Sequence, residues 1–252
     1  MILLPNLRVV VTRAESQSER LIDLFERTGA IVEPFPLLEI VPPADRVPLE
    51  RAAAGLATFD WVVFTSVNAV EAFLPLAGPM PAALRIAAVG PATAEALRAR
   101  GIEPHRMPAK ADAAGLVESL APEIGGRRVL LPQAADARTV LLRGLAAAGA
   151  EVTAVVAYDK RLPLDVLDRA AELFCLEPLG WVTFTSPRIV RHFVDLFGAD
   201  WNRRRPELWA VSIGPVTSAE LRRWKIEPAA EARRPEDEEM VAAVARALGT
   251  SA

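Results

Sequence analysis

Asp60-Trp-Val-Val-Phe-Thr-Ser66 recurs 120 residues later as Gly180-Trp-Val-Thr-Phe-Thr-Ser186. Ala88-Val-Gly-Pro-Ala-Thr-Ala-Glu-Ala-Leu-Arg98 recurs as Ser212-Ile-Gly-Pro-Val-Thr-Ser-Ala-Glu-Leu-Arg222, and both copies run on to Ile-Glu-Pro, at 102–104 and 226–228. A weaker pair, Arg8-Val-Val-Val11 and Arg128-Val-Leu-Leu131, leads in each case through a helical stretch to Gly-Ala, at 29–30 and 149–150. A period this long marks two homologous halves rather than a solenoid of short repeats. Within each half, short β-rich runs at 9–11, 61–64, 86–89, 129–131, 182–184 and 209–213 alternate with helical stretches at 18–27, 68–74, 92–100 and 139–147. That alternation predicts βαβ units, whose right-handed crossovers build parallel sheets. The fold class is therefore α/β, with two similar doubly wound parallel-sheet lobes.

Proline marks two candidate linkers, within Pro34-Phe-Pro36-Leu-Leu-Glu-Ile-Val-Pro42-Pro43 and within 155–163. Each follows the equivalent strand of its repeat. If the chain crosses at both points, one lobe is inserted into the other. A head-to-tail split near Gly126 fits the residues almost as well.

With 252 residues, 52% hydrophobic and 24% charged, the chain can bury a sizeable core and is not disordered in bulk. A net charge of −3 argues against a whole-protein nucleic-acid footprint. Only Lys110, Lys160 and Lys225 are lysines among 29 basic residues. Codon usage explains such an arginine excess, and so does recognition of carboxylates or phosphates, which guanidinium groups bind in bidentate fashion. Cys175 has no cysteine partner, which points to a reducing, cytoplasmic setting. His105 and His192 lie far apart in sequence, so a metal site is not expected. No apolar run approaches a membrane span or a signal peptide.

Candidate ligand chemistry lies at the carboxyl ends of the predicted strands, where doubly wound folds bind ligands. Pro187 after Ser186 predicts a helix whose N-cap is Ser186, and the repeat gives Ser66 the same place. Capping alone accounts for a serine there. The same turns, with Thr65, Asn68 and Thr185, also present free backbone N–H groups and a positive helix end to an anion. The Gly90-Pro91-x-Thr93 and Gly214-Pro215-x-Thr217 turns repeat the arrangement. Neither a dinucleotide fingerprint nor a phosphate-loop sequence is present. Four such helix starts facing one interlobe cleft would suit a ligand rich in carboxylates. Tyr158, the only tyrosine, ends the predicted strand 152–157. It is either a ring with its hydroxyl at the surface or a neutral donor aimed into that cleft. Cys175 reads as packing, Arg203-Arg-Arg205 as a solvated loop, and Glu236-Asp-Glu-Glu239 as the acidic first turn of a C-terminal helix.

In order, Val11-Thr-Arg13, Pro36-Leu-Leu-Glu-Ile40, Asp60–Val70, Ala88–Ala94, Val129-Leu-Leu-Pro-x5-Arg138, Val156-Ala-Tyr158, Phe184-Thr-Ser-Pro187 and Ile213-Gly-Pro-Val-Thr217 resemble the uroporphyrinogen-III synthase family over nearly the whole chain. The resemblance implies a discontinuous lobe of 1–39 and 162–252, an inserted lobe of 43–157, and a two-strand linker at about 38–43 and 155–163. It implies a cleft binding hydroxymethylbilane, a linear tetrapyrrole with eight carboxylates, and a cyclisation that inverts ring D through a spiro intermediate and releases water. No metal or organic cofactor, nucleic acid or membrane partner is implied, and a monomer is expected. An unstable substrate invites a transient contact with the deaminase that makes it. Carried over by motif, Tyr158 assists departure of the hydroxyl. Thr65, Ser66, Asn68, Gly90, Pro91, Thr93, Thr185, Ser186, Gly214, Pro215 and Thr217 hold the acetate and propionate side chains. Arg13, Arg138 and Lys110 add charge at the rim. The competing readings are a non-catalytic binding module of the same fold and an unrelated transferase acting on a phosphorylated ligand.

Overall fold

The computed structural model describes residues 2–174, 180–198 and 208–249. Cys175 and Arg203–Arg205 lie outside the described residues. The chain forms two compact units, one of residues 1–39 and 161–252, the other of residues 40–160. Gly126 lies inside the second.

The first unit opens with β1 (Arg8–Val11), α1 (Glu19–Glu26) and β2 (Ile31–Pro34). The chain then crosses through β3 (Glu39–Val41) into α2 (Val47–Ala54), β4 (Trp61–Phe64), α3 (Val67–Phe73), β5 (Arg85–Ala88) and α4 (Pro91–Arg98). α5 (Ala113–Ile124), β6 (Arg128–Ala134), α6 (Val140–Ala147) and β7 (Glu151–Arg161) complete the second unit. The return to the first brings α7 (Val166–Phe174), β8 (Trp181–Phe184), α8 (Pro187–Phe197), β9 (Trp209–Ser212), α9 (Pro215–Arg223), β10 (Ala230–Glu231) and α10 (Asp237–Ala247).

The sheet of the first unit has the order β10-β9-β8-β1-β2, and that of the second β3-β7-β6-β4-β5. Strand for strand, β9-β8-β1-β2 corresponds to β5-β4-β6-β7. The registers agree as well. Arg8 faces Ile31 in one sheet and Arg128 faces Glu151 in the other, a shift of 120 at both positions. These neighbours are parallel. The N-terminal β1-α1-β2 piece thus fills in its sheet the place that β6-α6-β7 fills in the other.

Alternation along the strands feeds two cores. In the second unit Val62, Phe64, Ile86, Ala88 and Leu130 pack with α2, α3 and α4 through Leu49, Val70, Phe73 and Leu97. Trp61, Val63, Ala87, Val129 and Leu131 face the other way, onto Leu116, Leu120 and Ile124 of α5 and Leu141 and Leu145 of α6. A sheet covered on both faces needs continuous apolar strands, hence Trp-Val-Val-Phe. In the first unit Val9, Val11, Trp181 and Val211 pack with Leu21 and Phe25 of α1 and Met240, Val241 and Val244 of α10. The acidic residues Asp237, Glu238 and Glu239 occupy the first turn of α10.

β7 outruns the predicted 152–157 at both ends, with β3 hydrogen-bonded beside it. β6 continues through Pro132 to Ala134. Proline, which has no N–H to donate, is accommodated there because the β4 register ends at Leu130 and Pro132 is paired only with β7.

Candidate functional site

Both sheets have the strand order 2-1-3-4 counted within their own repeat, with a topological switch between the first and third of these strands. Doubly wound sheets bind ligands at the carboxyl ends there. In the second unit the switch lies between β4 and β6, and the turn after β4 carries Thr65 and Ser66.

Ser66 is extended (φ −161°, ψ 156°) and its Oγ accepts the Ala69 N–H at 3.1 Å, capping α3. The same Oγ lies 3.1 Å from the Tyr158 hydroxyl. Tyr158 is 4% exposed, so the residue belongs to the core. A β-bulge puts it there. Gln133 faces Val156, but Ala134 faces Tyr158, which makes Ala157 the extra residue of β7. Val155, Ala157 and Tyr158 consequently enter one core cluster, while Val156 is exposed. Without the bulge the two-residue period would turn Tyr158 to the opposite face. The Ala135 N–H donates to the Tyr158 carbonyl at 2.9 Å. The Lys160 Nζ lies 5.5 Å from the Tyr158 ring centroid and 3.8 Å from Asp136 Oδ1. Sequence reasoning passed over Lys160 and Asp136. The two-residue spacing of Tyr158 and Lys160 on a strand was the available signal.

Asn68 sits half-buried in the first turn of α3. Gly90 caps α4 from the neighbouring strand β5, followed by Pro91 and the buried Thr93. Its backbone is extended, so glycine is not required for conformation. A Cβ at Gly90 would lie 2.9 Å from the Cβ of Ala111, and this close approach seats the 110–112 segment beside the turn. Lys110 in that segment is exposed and paired with Asp112 at 2.8 Å. Asp112 caps α5, and the Gly115 N–H, with Lys110, holds its carboxyl below the usual range. The hydrogen bond and charge of Asp112 in turn raise the Lys110 ammonium. Arg138 lies exposed after β6 and forms no ion pair among the described residues.

In the first unit Ser186 repeats the cap, with φ −163°, ψ 157° and the Ile189 N–H at 3.3 Å. Thr185 is half-buried beside it, and Gly214, Pro215 and the buried Thr217 open α9. Arg13 is held by Asp237 at 2.9 Å, which ties the segment after β1 to α10. The structure thus joins Ser66 directly to Tyr158, sets the Gly90 turn on the adjacent strand, and commits Arg13 and Lys110 to carboxylates of the chain itself.

A cavity of about 630 Å³ opens at the opposite, amino end of β4, β5 and β6. Its charges are already matched, Arg85 with Glu123 and Arg127 with Asp60. Among the described residues no cluster of His, Cys, Asp and Glu could hold a metal, and no helix is long and apolar enough to cross a membrane.

The family model of uroporphyrinogen-III synthase HemD matches residues 19–242. The chain belongs to the uroporphyrinogen-III synthase family. Uroporphyrinogen-III synthase of Synechococcus elongatus is 36% identical over 222 residues, covering 83% of each chain. That of Chlorobaculum parvum is 28% identical over 228 residues, 86% of this chain and 89% of the relative. Crystal structures of a mutant uroporphyrinogen III synthase from Thermus thermophilus and of the Helicobacter pylori protein match at TM-scores of 0.63 and 0.64, with 21% and 20% identity. They cover 97% and 96% of this chain, and 100% and 99% of their own. At that identity they bear on the fold, which is that of the uroporphyrinogen-III synthases. Within this family member, the contact between Ser66 and Tyr158 is the one place where a capped helix start meets a core phenol hydroxyl among the described residues.

Proposed function

We propose that the chain is a cyclising lyase that converts hydroxymethylbilane to uroporphyrinogen III. The C–O bond of the ring A hydroxymethyl group breaks, the oxygen leaves with the electron pair and takes up a proton to depart as water, and the pyrrole nitrogen supplies electrons and gives up its N–H proton to form an azafulvene. The substituted carbon of ring D attacks, a spiro intermediate rearranges, and the macrocycle closes with ring D inverted and one water lost. The azafulvene is reactive by itself, and without the enzyme the bilane closes to the type I isomer. Catalysis therefore rests on conformation, to which positioning contributes several kcal/mol. The observation that carries this reading is the Tyr158 hydroxyl at 3.1 Å from Ser66 Oγ, a neutral donor held at the carboxyl end of a parallel sheet in a member of this family. Tyr158 hydrogen-bonds the departing hydroxyl.

The substrate's carboxylates go to the helix starts after β4, β5, β8 and β9, through Thr65, Ser66, Asn68, Gly90, Pro91, Thr93, Thr185, Ser186, Gly214, Pro215 and Thr217. Arg138, exposed and outside any ion pair among the described residues, adds a guanidinium. Arg13 and Lys110 contribute field rather than direct contacts, since Asp237 and Asp112 occupy them. The enzyme is read as a cytoplasmic monomer that meets the preceding deaminase transiently. The test is a product-isomer assay with hydroxymethylbilane generated in situ. Predominance of type III over the enzyme-free background is expected. Type I alone, from folded protein, would leave a non-catalytic binding module.

A further inference from the structure

We propose that Ser66 is a positioning residue for Tyr158, fixing the sense of a hydrogen-bond chain that runs from the α3 N-terminus through Ser66 and out through the phenol. The inference rests on the role of Tyr158 given above. Ser66 Oγ accepts from the Ala69 N–H at 3.1 Å and lies 3.1 Å from the Tyr158 oxygen. Two arrangements satisfy those distances. If Tyr158 donates to Ser66, the serine oxygen receives two protons and its own hydroxyl hydrogen has no acceptor among the described residues. If Ser66 donates to Tyr158, the hydrogen without an acceptor among the described residues is the phenol's instead, so the bonds run in one direction and Tyr158 is the donor left available. Ala69 N–H donates to Ser66 Oγ, Ser66 O–H donates to the Tyr158 oxygen, and the Tyr158 O–H is left for the departing hydroxyl. Accepting a hydrogen bond makes a hydroxyl a better donor, so the second arrangement strengthens itself along the chain.

The β-bulge at Ala157 and the serine act together. The bulge turns the ring to the Ser66 side of the sheet, and the serine decides which way the phenol hydrogen points. The repeat supplies the contrast. Ser186 has the same backbone and the same capping bond but no such phenol partner among the described residues.

The experiment measures kcat and KM for type III formation in the full chain, with thermal unfolding alongside, for Ser66→Ala, Ser66→Thr, Ser66→Asp, Tyr158→Phe and the double variant Ser66→Ala/Tyr158→Phe. Ser66→Asp keeps a side chain that caps helices well but can only accept, so it draws the phenol hydrogen inward. Expected are a kcat about tenfold lower in Ser66→Ala, the worth of one hydrogen bond, an equal or larger loss in Ser66→Asp at near-unchanged thermal stability, and recovery in Ser66→Thr. In the Tyr158→Phe background the Ser66→Ala effect on kcat vanishes, because there is no phenol left to orient. The same fold-loss in both backgrounds, or full kcat in Ser66→Asp, overturns the positioning role while leaving that of Tyr158 standing. Full kcat in Tyr158→Phe overturns both.

Discussion

Residues 61–70 and 181–190 repeat one another's burial position by position, and each segment begins its helix with a serine in nearly the same backbone conformation. What separates them is the strand two places across the sheet. In the second unit that strand is β7, whose bulge delivers Tyr158 to the serine. In the first it is β2, and the position 120 residues before Tyr158 is Leu38, a buried aliphatic residue. The duplicated architecture secures helix starts at the carboxyl ends of both sheets. A core phenol meets only one of them, by one residue type and one extra residue in a strand.

The comparison is broken most sharply at Tyr158. Tyr158→Phe should lower kcat for type III formation by about a hundredfold or more, with KM changed little. A fall shared equally between kcat and KM in initial-rate measurements would assign the residue to ground-state binding instead. Gly90→Ala tests whether the Gly-Pro turn of the second unit is set by packing. Its Cβ would crowd Ala111, and overpacking of that kind destabilises by about 1–3 kcal/mol. Denaturant unfolding reads the shift, and an unchanged midpoint would mean that the 110–112 segment gives way freely.

Ser66→Ala and Ser186→Ala should each lose about 1 kcal/mol through the missing cap. Ser186→Ala should raise KM, whereas Ser66→Ala should act on kcat as well. Matching kinetic profiles for the two variants would erase the distinction between the units. The smallest effect concerns Asp112. Its folded carboxyl titrates below its unfolded value, so its contribution is present above about pH 4 and is lost as pH falls through the lower, folded value. Asp112→Asn should therefore flatten the acid limb of a stability–pH curve. An acid limb identical to that of the parent protein would show that the Gly115 and Lys110 contacts are not maintained in solution.

The sequence alone carried the two sheets, the parallel strands and both serine caps, because repeats and strand–helix alternation are local patterns. Helix starts were legible for the same reason, since Pro187, Pro91 and Pro215 announce them. The contact between Ser66 and Tyr158 was not, although both residues stood out. A strand read as strictly alternating places Tyr158 opposite to Ala157, and nothing in Val-Val-Ala-Tyr announces the bulge that reverses it. Arg13 and Lys110, expected to add charge at the rim, are each paired with a carboxylate of the chain itself. Asp112 is two residues from Lys110 and could have been noticed. Asp237 is 224 residues from Arg13 and could not.

The exchange of the N-terminal β1-α1-β2 piece has a consequence for how the molecule comes into being. The second unit is one continuous stretch, so all its strands can meet once residue 160 has left the ribosome. The first unit cannot close then, because Thr12 of the segment after β1 bonds to Thr183 of β8, 171 residues further along the chain. Long-separated pairings are slow and leave sheet edges exposed while they wait. The half that holds Ser66 and Tyr158 is thus the half able to fold first. Pulsed hydrogen exchange during refolding should find amides of β4 and β6 protected before those of β1 and β8.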